Sequence, residues 1–218
     1  NKEKFDFTII TTLPSKNEWR ANFEKYATVY DLTAFLDMKD WVSFVNYIIK
    51  KNNINLIFSS NSQFGYKIAP YLKSKYPDIP IVDYVHMEEW YWRSGGYSRD
   101  SSIIQNIIDK TYTCNENSRN IFVKYFGRKL REIKTVYIGV DEKRFDPEKC
   151  EEIKLKEKIK NKKVISFICR IADQKRPFLF LEVIKRLAKK RKDFVVIVAG
   201  DGPFLEELKN KVSENNMD

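Results

Sequence analysis

The chain has 218 residues, of which 43% are hydrophobic and 32% are charged, and its formal net charge is +10. This length and composition are typical of a globular protein with one large domain or two small ones, and they exclude a disordered chain. No apolar run reaches the roughly 18 to 20 residues of a membrane span, and the first residues lack the hydrophobic region of a signal peptide.

The basic residues are mostly interleaved with glutamate or lie on amphipathic helix patterns. The simplest interpretation of the positive charge is therefore a solvated surface. Attraction to an anionic membrane surface or to anionic substrates is the main alternative. Nucleic-acid binding is suggested by the charge alone, because the sequence contains no recognition motif for it.

Residues 5–138 alternate between short apolar strands and helices. The helix predictions rest on apolar residues at helical spacing, with Asp40 as the expected N-terminal cap of its helix. In chain order, we predict strands at 5–11 and 27–32, a helix at 40–51, a strand at 55–59, a helix at 64–75, a strand at 79–85, a helix near 102–108, a strand at 110–114, a helix at 116–125 and a strand at 133–138. Strands separated by helices indicate a parallel sheet with helices on both faces.

A segment with Gly, Asp and Pro at 139–150 interrupts this pattern, and a second unit follows it. There we predict a strand at 163–169, a helix at 177–189, a strand at 194–199, and a Gly-Asp-Gly-Pro turn that leads into a helix at 204–212. The fold class is therefore α/β, with Rossmann-like parallel sheets and flanking helices. We divide the chain into a first domain at 1–140, a linker at 141–162 and a second domain at 163–218, which has too few strands for an independent doubly wound domain.

Two cations flank the loop between a strand and a helix in the second unit. Arg170 follows the strand at 163–169, and Lys175 precedes the helix that begins at Pro177. Ligands of open α/β sheets bind beyond the carboxyl ends of the strands, and the free N–H groups of a helix N-terminus favour anions. The two side chains and the helix could therefore hold a diphosphate, whose charge is spread over several oxygens. A surface loop whose cations face water is the alternative at this point.

The second unit resembles the nucleotide-binding domain of the retaining glycosyltransferases with the GT-B fold, the large group-1 family. The resemblance is carried by KVISFICRIADQKRPFLFLEVIKRL and by DFVVIVAGDGPFLEEL, in which a strand, an Arg, a short loop, a Lys and a helix precede a strand that ends in Gly-Asp-Gly-Pro. The earlier segments IDKTYTCNENSRNIFVKYFG and IKTVYIGVDEKRF resemble the end of the family's first domain. The resemblance covers most of residues 55–212 and implies a two-domain GT-B architecture.

By this resemblance, the enzyme transfers a sugar from a nucleotide-diphosphate-sugar to an acceptor hydroxyl, with retention at the anomeric carbon. Arg170 and Lys175 match the family's pair that contacts the donor diphosphate and stabilises the departing nucleotide, so no metal or cofactor is implied. Cys169 and Ile138 stand where the family commonly has Gly and Asn. The family's two-glutamate motif is expected beyond the end of this chain, and its glycine-rich first turn before the start. We therefore expect an incomplete chain that does not catalyse transfer alone.

His86 is the only histidine, and it follows an apolar strand at the end where active sites form. A lone histidine is most often structural, but the family often has one near this point, facing the cleft. We therefore predict that His86 contacts the transferred sugar or orients the acceptor. Glu88 and Trp90 are weaker candidates for a contact with the acceptor or the sugar. The neighbouring Glu88 and Glu89 point opposite ways on extended backbone and cannot form a catalytic pair, and Trp90 could equally pack in a core or lie at a membrane interface.

The expected partners are a nucleotide-diphosphate-sugar donor, a glycan or lipid-linked acceptor, and a membrane surface in peripheral contact, without any nucleic acid. This chemistry would serve the assembly of cell-surface polysaccharide, glycolipid or glycoprotein. Cys114, Cys150 and Cys169 are scattered and lack metal-ligand spacing, which favours free thiols in a reducing cytoplasm. Within the cytoplasm, we expect the protein at the inner face of the membrane. The alternative function is a GT-B-like binding or scaffolding module that has lost catalysis.

Overall fold

The computed structural model describes residues 5–149 and 159–217. The chain divides into two compact units, Asn1–Val140 and Asp141–Asp218. Cys150 and much of the expected linker at 141–162 lie outside the described residues. The roles assigned to the two domains stay predictions.

The first unit is built from parallel strands that alternate with helices. Strands β1 (Phe7–Thr11) and β2 (Ala27–Asp31) form a parallel pair, and β3 (Ile57–Ser60), β4 (Ile81–Val85), β5 (Lys110–Thr113) and β6 (Ile133–Thr135) form a parallel sheet in that order. The intervening helices are α1 (Arg20–Glu24), α2 (Leu32–Phe35), α3 (Trp41–Lys51), α4 (Gln63–Lys75), α5 (Gly96–Ile103) and α6 (Glu116–Phe126). The alternation that the sequence predicts is thus present, and the carboxyl ends of β3 to β5 lie along one edge.

The second unit is a strand–helix–strand–helix segment. Strands β7 (Lys163–Ile168) and β8 (Phe194–Ala199) pair in parallel along their whole lengths. Helix α7 (Pro177–Lys190) connects them, and α8 (Leu205–Glu214) follows β8. Proline suits the first position of α7, because the missing N–H would have no partner inside the helix. The core consists of Ile171, Leu181 and Leu208, which are all buried.

The main core of the first unit lies between the β3–β6 sheet and two helices. It includes Val45 and Ile49 from α3, Ala69 and Leu72 from α4, and Ile81 from β4. The buried side chains of α3 recur at helical spacing, which is why the sequence predicts this helix well.

Asp40 occupies the N-cap position of α3, as predicted, but its side chain does not cap the helix. Asp40 ends a 3₁₀ turn, Met38–Asp40, that runs directly into α3, so the backbone of Asp40 is itself helical (φ −98°, ψ −6°) and its side chain makes no capping hydrogen bond. A capping side chain requires an extended backbone at the cap residue. The sequence also does not predict the short helices α1 and α2, because four or five residues are too few to show a periodic pattern.

The predicted helix near 102–108 is displaced, because the structure forms α5 at Gly96–Ile103. The residues that α5 buries are polar or small, so no apolar periodicity marks it; they are Gly96, Ser98, Asp100, Ser101 and Ser102. The isoleucines that suggested the later helix lie in the turns after α5, where Ile104, Ile107 and Ile108 pack against the main core.

Candidate functional site

The loops that follow β7 and β8 stay paired beyond the ends of the strands. The Cys169 N–H donates to the Ala199 carbonyl (3.1 Å), and the Ile171 N–H donates to the Asp201 carbonyl (2.8 Å). Gly200 permits this approach, because a Cβ at that position would lie 1.8 Å from the Cys169 carbonyl oxygen. Its φ of +146° is also a conformation that essentially only glycine adopts. The Gly-Asp-Gly turn therefore fixes the backbone on both sides of Arg170.

Arg170 and Lys175 lie where the sequence places them. The Arg170 side chain is exposed between half-buried Cys169 and buried Ile171. Lys175 is exposed at the end of a 3₁₀ turn, Asp173–Lys175, two residues before the first residue of α7.

A third cation and two carboxylates lie in the same two loops. Arg176 is exposed and has a left-handed backbone (φ +50°) immediately before α7. Asp173 and Asp201 are also exposed, and the Asp201 carboxylate accepts a hydrogen bond from the Gly202 N–H (2.7 Å). The excess of positive charge, added to the N-terminus of α7, makes this strand end suitable for an anion.

In the first unit, His86 directly follows β4 and is held by three neighbouring segments. Its Nε2 atom lies 3.1 Å from the Ser60 hydroxyl oxygen at the end of β3. Its ring packs edge-to-face on Tyr84, with 4.9 Å between centroids. Its carbonyl oxygen accepts a hydrogen bond from the Cys114 thiol after β5 (2.6 Å). The ring is thus partly exposed and oriented at the carboxyl edge of the sheet.

The two weaker candidates in this region have structural partners. The Ser118 hydroxyl, in the first turn of α6, donates to the Glu88 carboxylate (3.3 Å). The Trp90 ring stacks on Phe126 with centroids 5.7 Å apart and an interplanar angle of 6°, and it packs against Tyr125 at 5.1 Å. Since 46% of Trp90 is still exposed, packing and a sugar contact are both compatible with its position.

A buried polar cluster around β4 was missed by the sequence analysis. The Tyr66 hydroxyl donates to the Asp83 carboxylate (3.0 Å). The fully buried Arg128 side chain donates to the Thr111 hydroxyl (3.0 Å) and to the Ser101 hydroxyl (3.3 Å). Burial raises the pKa of Asp83, while hydrogen bonds from Ser101, Thr111 and Tyr66 and the charge of Arg128 act in the opposite direction. Burial, followed by the charge of Asp83, also raises the pKa of Tyr66.

This cluster fixes the strand that carries His86. The sequence contained one indication of a buried polar cluster, which is the aspartate at the centre of the apolar run IVDYV. A charged residue is rarely buried unless polar or charged groups surround it. Arg128, whose charge acts on Asp83, is far away in the sequence and follows the C-terminal glycine of α6.

The comparison with known families finds a match in the second unit of the chain. Residues 149–217 match the model of the family Glycosyl transferases group 1. The predicted resemblance is confirmed there. No curated protein matches the sequence. The match includes Arg170, Lys175 and the Gly-Asp-Gly turn, so the loops described above lie within the segment that is similar to this family.

Solved structures extend the similarity of fold to nearly the whole chain. HepE from Anabaena, in complex with UDP and glucose, is 16% identical with a TM-score of 0.66, and the match covers 97% of this chain and 59% of that one. A glycosyltransferase from Rickettsia africae is 15% identical with a TM-score of 0.71, covering 96% of this chain and 57% of that one. A Listeria monocytogenes protein that has been proposed to be a UDP-N-acetylglucosamine 2-epimerase is 9% identical with a TM-score of 0.60, covering 98% and 67%.

The predicted fold class is therefore confirmed: Rossmann-like parallel sheets with flanking helices, as in GT-B glycosyltransferases. The chain spans less than two thirds of the length of the Anabaena and Rickettsia proteins. No helix in the described part of the chain is long and apolar enough to cross a membrane. Within residues 5–149 and 159–217, no group of three His, Cys, Asp or Glu side chains could hold a metal ion.

Proposed function

We propose that the protein transfers a sugar from a nucleotide-diphosphate-sugar to an acceptor hydroxyl, with retention at the anomeric carbon. The observation that carries this proposal is the pair of exposed cations, Arg170 and Lys175, on loops that Gly200 locks at the N-terminus of α7. The family match of residues 149–217 supports it, and HepE, which shares the fold, binds UDP and glucose.

The two cations act on the leaving group. As the bond between the sugar and the diphosphate breaks, negative charge grows on the diphosphate, and preorganised cations stabilise that charge more than they stabilise the bound donor. The Arg170 guanidinium can contact two oxygens at once, whereas Lys175 supplies a compact charge. The partial positive charge of the α7 N-terminus adds to both. These groups supply the electrostatic role that a metal ion has in other transferases, and no cofactor is needed.

His86, Glu88 and Trp90 are proposed to contact the transferred sugar or the acceptor. The hydrogen bond between the Ser60 hydroxyl and Nε2 of His86 orients the imidazole. Its other nitrogen, Nδ1, can then donate a hydrogen bond to a sugar hydroxyl or accept one from it. The proposed acceptor is a glycan or a lipid-linked sugar used in carbohydrate biosynthesis. The proposed location is the cytoplasm, in peripheral contact with the inner face of the membrane.

The test is an assay of the protein at its full natural length, with radiolabelled UDP-, GDP- and ADP-sugars and a panel of glycan and lipid-linked acceptors. We expect a labelled product whose new linkage has the same anomeric configuration as the donor, measured by NMR. An inverted linkage would contradict retention. Epimerisation of the donor without transfer would instead support the chemistry proposed for the Listeria protein. Donor binding without turnover would support a non-catalytic binding module.

A further inference from the structure

Helices α3 and α4 belong to a long segment that carries no negative charge. Between Trp41 and Pro77 the sequence contains no Asp or Glu, although the whole chain has 30 of them. The same segment contains five lysines: Lys50, Lys51, Lys67, Lys73 and Lys75. In the structure, Lys73 forms an ion pair with Asp109 (3.0 Å). The remaining lysines of the segment are exposed.

Exposed tyrosines lie directly beneath two of these lysines, Lys51 and Lys75. The Lys51 ammonium lies 5.3 Å from the centroid of the Tyr47 ring on α3, and the Lys75 ammonium lies 5.3 Å from the centroid of the Tyr71 ring on α4. Tyr47 is 53% exposed and Tyr71 is 43% exposed. Each helix therefore presents the same pair, an aromatic ring with a cation over it.

The two pairs belong to one surface. On α3, Asn46 donates to the Tyr71 hydroxyl of α4 (3.0 Å), which holds the two helices side by side. Lys75 donates a hydrogen bond to the Tyr71 hydroxyl (2.9 Å), and this bond, with the charges of Lys75 and Lys50, lowers the pKa of Tyr71. Phe44 continues the surface beyond Tyr47, with 6.2 Å between the ring centroids.

We propose that this α3–α4 surface is the part of the protein that contacts an anionic lipid bilayer. Lysine attracts anionic headgroups, and tyrosine favours the boundary between headgroups and acyl chains, where its ring is buried and its hydroxyl stays hydrated. A partner that bound by charge alone, such as a nucleic-acid duplex contacted through its phosphates, would give no reason for the exposed rings. The inference deepens the proposed membrane contact and does not depend on the transfer reaction.

The test measures co-sedimentation of the protein with vesicles. We expect binding to vesicles of equimolar phosphatidylglycerol and phosphatidylcholine, weakened by salt, and much weaker binding to pure phosphatidylcholine. The double variant Lys51→Glu/Lys75→Glu should lower the partition coefficient about thirtyfold or more, since each lysine near an anionic surface contributes about fivefold. The control variant Lys129→Glu/Lys134→Glu makes the same change in charge at exposed positions of the same unit and should bind almost as well as the native protein. Circular dichroism verifies that both variants are folded.

The possible outcomes test the membrane-binding surface independently of the proposed sugar transfer. Equal losses in the two double variants would overturn the assignment, because net charge rather than this surface would then control binding. Undiminished binding of Lys51→Glu/Lys75→Glu would also overturn it. A failure of the native protein to bind anionic vesicles would overturn the membrane contact itself. None of these results involves a donor or an acceptor, so the transfer assay stands or fails separately.

Discussion

Gly200 lies directly against Cys169, close enough that a Cβ would come within 1.8 Å of the Cys169 carbonyl oxygen. This approach continues the pairing of β7 and β8 past the strand ends and fixes the chain on either side of Arg170. The geometry of the candidate anion site therefore depends on a residue that carries no functional group.

Replacement of Gly200 by alanine should be strongly destabilising. The methyl group would overlap backbone rather than a flexible side chain, and the φ of +146° is itself unfavourable for alanine. We expect the free energy of unfolding of the variant to fall by about 3 kcal/mol or more, measured by urea denaturation. Gly139→Ala is the control, because nothing lies within 4 Å of a Cβ there and its φ is not positive. A near-native stability of Gly200→Ala would mean that the two loops are not in contact.

The buried Asp83 predicts a specific dependence of stability on pH. Burial raises its pKa in the folded state above the ordinary 3.8, so the folded protein binds a proton more readily than the unfolded chain. The stability that this protonation contributes is complete below pH 3.8 and is lost as the pH rises through the folded-state pKa.

In the Asp83→Asn variant, a neutral amide that does not ionise replaces the carboxyl group. Relative to the native protein, its free energy of unfolding should therefore increase as the pH rises above the ordinary aspartate pKa, when the two proteins are compared in urea titrations at a series of pH values. A difference that stays constant with pH would show that Asp83 titrates alike in the folded and unfolded states.

The parts of the fold that follow apolar periodicity could be predicted from the sequence. Strand β8 has the predicted bounds, Phe194–Ala199, and α3 begins one residue after its predicted start. Helix α5 could not be placed, because its buried face consists of Ser98, Asp100 and other polar residues whose partners lie elsewhere in the chain. Their burial depends on hydrogen bonds across the fold, which no local pattern reveals.

The candidate site likewise has features that the sequence predicts and features that it does not. Arg170 and Lys175 could be located because strand ends and helix starts are local features of the sequence. The pairing of Asp83 with Tyr66 and the burial of Arg128 could not, since they join separate elements of the first unit. The stacking of Trp90 on Phe126 likewise depends on how α6 packs against the preceding loop.

Trp90 can be tested for a packing role. Because its ring stacks on Phe126 and contacts Tyr125, Trp90→Ala should lower the free energy of unfolding by about 1–2 kcal/mol. Tyr91→Ala is the matched control, since that ring is 79% exposed, and its stability should change by less than about 0.5 kcal/mol. A Trp90→Ala protein with native stability but reduced sugar transfer would favour the acceptor contact over packing.

His86 can be tested in the same preparation for activity and for stability. His86→Asn keeps a polar side chain but removes the imidazole that bonds to Ser60. If the ring contacts the sugar or the acceptor, transfer should fall about tenfold, which corresponds to the loss of one hydrogen bond to the substrate, while UDP binding persists. If the ring is only structural, the melting temperature should fall instead, and the activity per folded molecule should hold.

The most direct test of the whole account is calorimetric titration of the protein with UDP, comparing native protein with Arg170→Ala, Lys175→Ala and the control Lys162→Ala. Lys162 is exposed next to the start of β7, so its replacement removes the same charge at the opposite end of that strand. We predict that each of the first two variants binds UDP at least tenfold more weakly, since a hydrogen bond to a charged group contributes about 1.5–3 kcal/mol, whereas the control binds as the native protein does. Native affinity in both Arg170→Ala and Lys175→Ala would contradict the assignment of this loop to the donor diphosphate.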